Sequence, residues 1–381
     1  MRILPMPEIH FGDSSLNELV PFLNRSSARR VMVVTDSGIV KAGIYARLEK
    51  ILHEAGKEIV VFDGVQPDPS IEQVKHVSSL ALAGRIDAVI GLGGGSSLDS
   101  AKVAAALMAN SGDVKKYIGI DLIEKDSLPM VAVPTTAGTG SEVTPIAILS
   151  DEEEHLKRGI VSNKIIPKCA ILDPSLTMAM PPQVTAYTGM DALTHAIEAY
   201  TSVNASDYSD PLAIQAVRLL SQNILEAYSQ GNAVQAREGM LMGSLLAGIA
   251  FANAGVAAVH AFAYPLGGTF HIPHGLANSV MLPVIMEYNM DGCEAKYIEL
   301  AKAMLSAQMQ EITPNMAVDF IKQLSKDLHI PQNLRSFHIP EDAIPDLAAG
   351  ALKVTRLLLN NPRKFEMEDA IKMYSKAYKN N

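Results

Sequence analysis

Short β-branched runs punctuate the first half of the chain at 31–35, 58–62, 87–92 and 130–133. The first three alternate with helix-like stretches at about 40–55, 70–83 and 97–109, the pattern of parallel strands joined by crossover helices on both faces of a sheet. Pro145 to Ser150 and Gly159 to Ser162 flank the acidic run Asp151-Glu152-Glu153-Glu154, which reads as a solvated hairpin tip. After Asp173-Pro174 the periodicity becomes helical, with no convincing strand, at about 183–201, 209–229, 233–254, 276–288, 293–308, 313–327 and 366–379. The pattern predicts an α/β domain over residues 1–181 and an all-α domain over 182–381, parting near Met180-Pro181-Pro182.

Composition supports two sizeable cores: 381 residues with 48% hydrophobic content. The formal charge is −9, and lysine and arginine form no run, so a nucleic-acid partner is not expected. Cys169 and Cys293 are too few for a disulfide framework or a four-cysteine zinc site, which suits a reducing compartment. The start of the sequence carries no apolar signal region, and the expected location is the cytoplasm. From Gly239 to Met286 there is no Asp, Glu, Lys or Arg. Asn253, His260, Pro265, Gly267, Gly268, His271, Pro273 and His274 interrupt that stretch, so it reads as a buried helix leading into a polar turn, with no membrane span.

Three features mark the carboxyl ends of the first-half strands. Residues 87–92 run into Gly93-Gly94-Gly95-Ser96-Ser97-Leu98-Asp99-Ser100-Ala101-Lys102 at the start of a helix. Glycines there let a ligand approach the backbone, and the free amides of a helix's first turn attract phosphate. The run is not GxGxxG, and a simple tight turn is its other reading. Asp36 follows the first long run, where a carboxylate can bind a ribose diol and repel a 2′-phosphate, favouring NAD over NADP. It is equally suited to cap a helix beginning near Ile39. Pro134-Thr135-Thr136-Ala137-Gly138-Thr139-Gly140-Ser141-Glu142 places hydroxyls and glycines at a further strand end, where open α/β sheets bind ligands.

In the second half, Asp191, His195 and Glu198 are spaced by four and three, so they share one helical stripe. A solvated helix face would show the same spacing. His260 lies in the charge-free segment and His274 in His271-Ile272-Pro273-His274-Gly275, with His271 a rival for the same role. Each histidine alone reads as a hydrogen-bonded core residue. Together, one carboxylate and three imidazoles make a first shell for Fe(II), Zn(II) or Ni(II).

These motifs, in this order, resemble the iron-containing (group III) alcohol dehydrogenases, and the likeness spans nearly the whole chain. It is carried by the glycine turn with Asp99 and Lys102, by 134–142, by 189–199, and by His260 through Gly275. The resemblance implies a Rossmann-like dinucleotide-binding α/β domain with a parallel sheet, an all-helical domain, a dehydroquinate synthase-like architecture, and a cleft where cofactor meets metal. It implies metal ligation by Asp191, His195, His260 and His274, Fe(II) foremost. It implies NAD contacts from Asp36, Gly94, Gly95, Ser96, Asp99, Thr135, Thr136 and Thr139, and from Lys157 beyond the acidic hairpin, with Lys164 nearby. A homodimer or larger homo-oligomer is implied as well. In one place the chain departs from the family: many members carry a second histidine four residues after the third ligand, where this sequence has Tyr264. Tyr264 is either a hydroxyl relay or a ring packed beside the nicotinamide.

The activity implied is hydride transfer between NAD(H) and a small alcohol or aldehyde whose oxygen a divalent metal polarises. Phe251 to Asn253, Tyr264 and Phe270 point to a small, mostly apolar substrate. A metal- and NAD-dependent lyase of dehydroquinate-synthase type is one rival, set against by the scarcity of basic side chains near His260. A non-catalytic NAD-binding protein is the other, and it has no need of four converging ligands.

Overall fold

The computed structural model describes residues 2–153, 156–305 and 311–379. The chain divides into two compact units, Leu4–Met180 and the chain from Pro181 on together with its first residues.

The first unit is built on six parallel strands in the order β1-β9-β6-β4-β2-β3: β1 (Glu8–Phe11), β2 (Arg30–Val34), β3 (Glu58–Phe62), β4 (Ala88–Gly93), β6 (Met130–Pro134) and β9 (Cys169–Leu172). A second sheet joins β5 (Gly119–Ile120), β8 (Leu156–Val161) and β7 (Ile146–Asp151). Side chains alternate across β2, so Val31 and Val33 pack with Leu48 and Leu52 of α3 (Ile44–Glu54) and with Leu19, Phe22 and Leu23 of α1 (Leu19–Arg25). Met32 and Val34 face Val77 and Ala81 of α4 (Ile71–Gly84) and Leu98, Ala101 and Ala105 of α5 (Gly95–Leu107). Burial on both faces is why the central strands read as continuous apolar runs.

From β2 the chain passes outward to β3 and then back across β2 to β4. The carboxyl ends of β2 and β4 therefore flank the point where the winding reverses, which is where such sheets bind ligands. Asp36 and the Gly93–Gly95 turn sit there, with α2 (Ser37–Lys41) following Asp36.

The structure corrects several sequence expectations. The stretch at 40–55 is two helices, α2 and α3, parted at Gly43, whose φ of +74° no L side chain adopts readily. The hairpin forms, but its acidic run is not wholly solvated: Asp151 closes β7, is buried, and lies 3.6 Å from Arg158. Glu152 and Glu153 are exposed, and Glu154 lies outside the described residues.

The described elements of the second unit are all helical. They are α6 (Pro182–Thr201), α7 (Ser209–Ser229), α8 (Val234–Ala254), α9 (Ala258–Phe270), α10 (His274–Met290), α11 (Glu294–Met304), α12 (Asn315–Asp327), α13 (Ile344–Leu352), α14 (Thr355–Leu358) and α15 (Met367–Lys379), with short 3-10 turns between some of them. The expected helix at 293–308 ends at Met304, and positions 306–308 lie outside the described residues. Gly189 lets α6 close on its neighbours, since a Cβ there would stand 2.7 Å from both Ile224 and Met240. The polar turn expected after α8 is instead α9, which continues through Pro265 because Phe262 and Leu266 are wholly buried. Helices α8 and α9 meet at 104° around Gly255, which has φ +82°. No single helix among the described residues is long and apolar enough to cross a membrane.

Candidate metal and cofactor sites

The α6 stripe turns its carboxylate and imidazole inward: Asp191, His195 and Glu198 are all buried. The α8–α9 bend brings His260, buried at 2% exposure, to the same place. One donor atom from each of Asp191, His195 and His260 lies within 4.8 Å of the others. His274, at the first turn of α10, lies beside this triad with its Nε2 3.7 Å from Asp191 Oδ1, where His260 Nε2 stands 3.9 Å away. Donors bound to a single ion at about 2.1 Å stand roughly 3.4 Å apart across a tetrahedron, so these separations and this donor set fit a divalent metal. The rival His271 is an exposed αL residue at the end of α9.

Glu198 does something its place on the stripe did not reveal. Its carboxylate accepts from the Val259 backbone N–H at 2.6 Å and bonds His260 Nδ1 at 2.5 Å. This is the outer partner that fixes a ligating imidazole's tautomer. Burial pulls the His260 imidazole down, but Glu198, with Asp191 beyond it, outweighs burial and holds it above the usual histidine value. Burial likewise pushes the Asp191 carboxyl up, and His195, His274, His260 and the Asn278 bond more than reverse that, leaving it below the usual range. The His195 ring stacks on Phe251 at 4.4 Å and on His260 at 4.7 Å.

Gly275 makes the approach of α10 possible. A Cβ there would lie 2.3 Å from the Tyr187 carbonyl oxygen and 3.3 Å from Asp191 Cβ, so only glycine lets His274 reach Asp191. Tyr264, one turn after His260 on α9, has its ring centroid 6.1 Å from that of His274.

The dinucleotide candidates lie in the first unit. Helix α5 opens at Gly94 with no side chain capping its first amides, as a phosphate site requires. The threonine loop lies against this turn: a Cβ on Gly95 would stand 2.7 Å from Thr139 Cγ2, and one on Gly94 3.3 Å from Thr136 Cγ2. Thr135 Oγ1 is buried without a hydrogen-bond partner, a polar atom that a ligand at this junction could satisfy. Asp36 caps α2 through Oδ1, accepting from Gly38 N at 2.8 Å and Ile39 N at 3.1 Å. Its Oδ2 is directed to the other side, 3.3 Å from where a Cβ on Gly93 would be. The capping reading is thus seen directly, and it leaves one oxygen available at the strand end.

Other candidates are engaged with the protein itself. Ser96 Oγ accepts from Asp68 N at 3.2 Å, and Lys157 Nζ pairs with Asp68 at 2.6 Å, so Lys157 reaches the glycine turn through Asp68. Lys164 instead ties down the carbonyls of Ile123 and Glu124. Asp99 accepts from Ser141 Oγ at 2.6 Å and Ile148 N at 2.9 Å, pinning the threonine loop and β7 to α5. Burial raises the Asp99 carboxyl, lowers the Lys102 ammonium to about 8, and lifts the neighbouring Glu142 carboxyl to about 7.

A glycine turn at a sheet switch point suits a dinucleotide, and the carboxylate–imidazole cluster in the helical unit suits a divalent metal. Comparison with known proteins is specific. The pattern of the family "Iron-containing alcohol dehydrogenase" matches residues 6–174, and that of "Fe-containing alcohol dehydrogenase family, C-terminal" matches residues 185–378. The chain is 42% identical to long-chain-alcohol dehydrogenase 1 of Geobacillus thermodenitrificans over 99% of its own length and 96% of that protein's. It is 36% identical to 1,3-propanediol dehydrogenase of Klebsiella pneumoniae over 98% of each. The solved structure of a 1,3-propanediol oxidoreductase superposes with a TM-score of 0.96 at 37% identity, covering 99% of this chain and 100% of that one. The chain belongs to the iron-containing alcohol dehydrogenase family, and is an NAD-dependent oxidoreductase of that type. Membership does not favour the lyase or the non-catalytic alternative.

Proposed function

We propose that the chain interconverts a small, mostly apolar alcohol and its aldehyde, using NAD in preference to NADP and a divalent metal held by Asp191, His195, His260 and His274. The observation that carries this reading is the triad of Asp191, His195 and His260, whose donor atoms lie within 4.8 Å of one another, with His274 Nε2 3.7 Å from Asp191 Oδ1 and Glu198 bonded to His260 Nδ1. Fe(II) is the first choice, and the donor set also admits Zn(II) or Ni(II). When bound, the metal polarises the substrate oxygen while NAD takes up or returns the hydride.

The residues supply position and dryness. Asp191 contributes the negative charge that retains a dication, and the three imidazoles complete the donor set. Phe251, stacked on His195, excludes water from one side of that ring. Gly94, Gly95 and the first amides of α5 receive the pyrophosphate, supported by Thr135, Thr136 and Thr139, while Asp36 Oδ2 binds the ribose diol and repels a 2′-phosphate. Ser96 and Lys157 act through Asp68 and Asp99 through Ser141, shaping the cradle. Tyr264 packs by His274 and helps shape the nicotinamide's surroundings. A homodimer or larger assembly in the cytoplasm belongs to the same reading, consistent with both cysteines being free thiols.

The test is an assay of metal-reconstituted protein with NAD or NADP against short primary alcohols, diols and their aldehydes, following NAD(P)H absorbance. Metal-dependent NADH formation with an alcohol is the expected result. Substrate turnover that leaves NAD unchanged, or no turnover across the panel, would contradict the proposal.

A further inference from the structure

Asn278 lies one turn after His274 on α10 and is wholly buried. Its Nδ2 is 2.7 Å from Asp191 Oδ1 and 3.2 Å from both His260 Nε2 and His274 Nε2. Those three atoms are donors of the ligand set proposed above. Its Oδ1, also buried, has no hydrogen-bond partner.

The surroundings decide which end of the amide faces the cluster. A reversed amide would press Oδ1 against a carboxylate oxygen and two imidazole nitrogens, whereas Nδ2 brings hydrogens to them. His260 Nε2 presents a lone pair because the Nδ1 side of that ring is committed to Glu198. The closer, charge-assisted bond goes to Asp191 Oδ1, and the second amide hydrogen is left for the imidazole side, where His260 Nε2 can accept it. A buried asparagine kept only for packing would have its carbonyl satisfied elsewhere. Among the described residues, the hydrogen-bond partners of this side chain are the metal-ligand candidates Asp191, His260 and His274.

We infer that Asn278 is a positioning residue for the metal centre. It orients the Asp191 carboxylate through Oδ1, which keeps a second lone pair for a cation, while its contacts with the two imidazole nitrogens, each with a single lone pair, give way to the ion. The inference rests on the ligand set given under Proposed function.

The experiment uses Co(II) as probe on the full chain, comparing the parent with Asn278→Leu, Asn278→Ala and His260→Ala. Affinity is measured by competition with a chelator, coordination by the visible absorption of bound Co(II), and folding by far-ultraviolet circular dichroism. Both Asn278 variants should fold, bind Co(II) about 10–100-fold more weakly, and show an altered visible spectrum, since the hydrogen bond that orients the Asp191 carboxylate has been lost. If Asn278→Leu does not fold, Asn278→Ala decides. Affinity within twofold of the parent with the parental spectrum, or tighter binding, overturns the inference while leaving the ligand set standing, provided that His260→Ala binds poorly. A parent that does not bind Co(II), or a His260→Ala protein that binds it as the parent does, overturns the ligand set and the inference with it.

Discussion

Glu198 holds His260 by Nδ1 at 2.5 Å, and the bond decides what the other ring nitrogen can do. With Nδ1–H given to a carboxylate, Nε2 keeps its lone pair and faces Asp191 Oδ1 at 3.9 Å. The same carboxylate accepts from the Val259 amide, so the first turn of α9 and the orientation of its histidine are fixed together.

Replacing Glu198 by Gln leaves one acceptor oxygen for two donors. Metal affinity should fall about 10–100-fold, the usual cost of losing such a partner. A chelator-competition titration measures it, and unchanged affinity would show that the bond does not orient His260.

Gly275→Ala tests the closeness of α10 to α6. The new Cβ would meet the Tyr187 carbonyl at 2.3 Å, and backbone cannot yield as a flexible side chain does. Overpacking of this kind costs about 1–3 kcal/mol. Thermal unfolding should shift down, and metal content should drop because His274 is pushed from Asp191. A variant with the parental midpoint and full metal content would show that the approach is not needed.

Asp36→Gly separates the two jobs of that carboxylate. Loss of a cap to glycine costs only a few tenths of a kcal/mol, so stability should barely move. The ratio of kcat/KM for NADP to that for NAD should rise as repulsion of the 2′-phosphate is removed. An unaltered ratio would leave Asp36 as a helix cap alone.

Tyr264→Phe should lower turnover by less than roughly tenfold, because a ring packed near His274 keeps its shape without the hydroxyl. A relay role demands a loss of roughly 10²–10⁴-fold with unchanged metal content and NAD affinity. Steady-state kinetics with parallel NAD binding distinguishes the two.

The core of the first unit was legible because its central strands are buried on both faces and rich in Val and Ile. The two strands at one side of its sheet, β1 and β9, were not. β1 is four half-exposed residues at a sheet edge, and β9 is four residues between Lys168 and Asp173, both too short to show a period. Helix α9 was hidden by Pro265, Gly267 and Gly268, residues whose local preference tertiary burial overrides. The same limit applies at the site. Asp191 and His195 stand out by spacing on one helix, but His260 drew notice only from its charge-free surroundings and from the family likeness. Glu198 lay on the same stripe, and its partner sits 62 residues away, a relation no local spacing encodes. Asn278 carried one unused signal, the four-residue step from His274 that places both on one face of α10.

The most direct measurement is elemental metal analysis of the parent and of Asp191→Ala, His195→Ala, His260→Ala and His274→Ala after anaerobic reconstitution with Fe(II), alongside NADH formation from a short alcohol. The account predicts a single bound ion in the parent, its loss from each folded variant, and a matching loss of metal-dependent turnover. Full metal content and undiminished NADH formation in both His260→Ala and His274→Ala would contradict it.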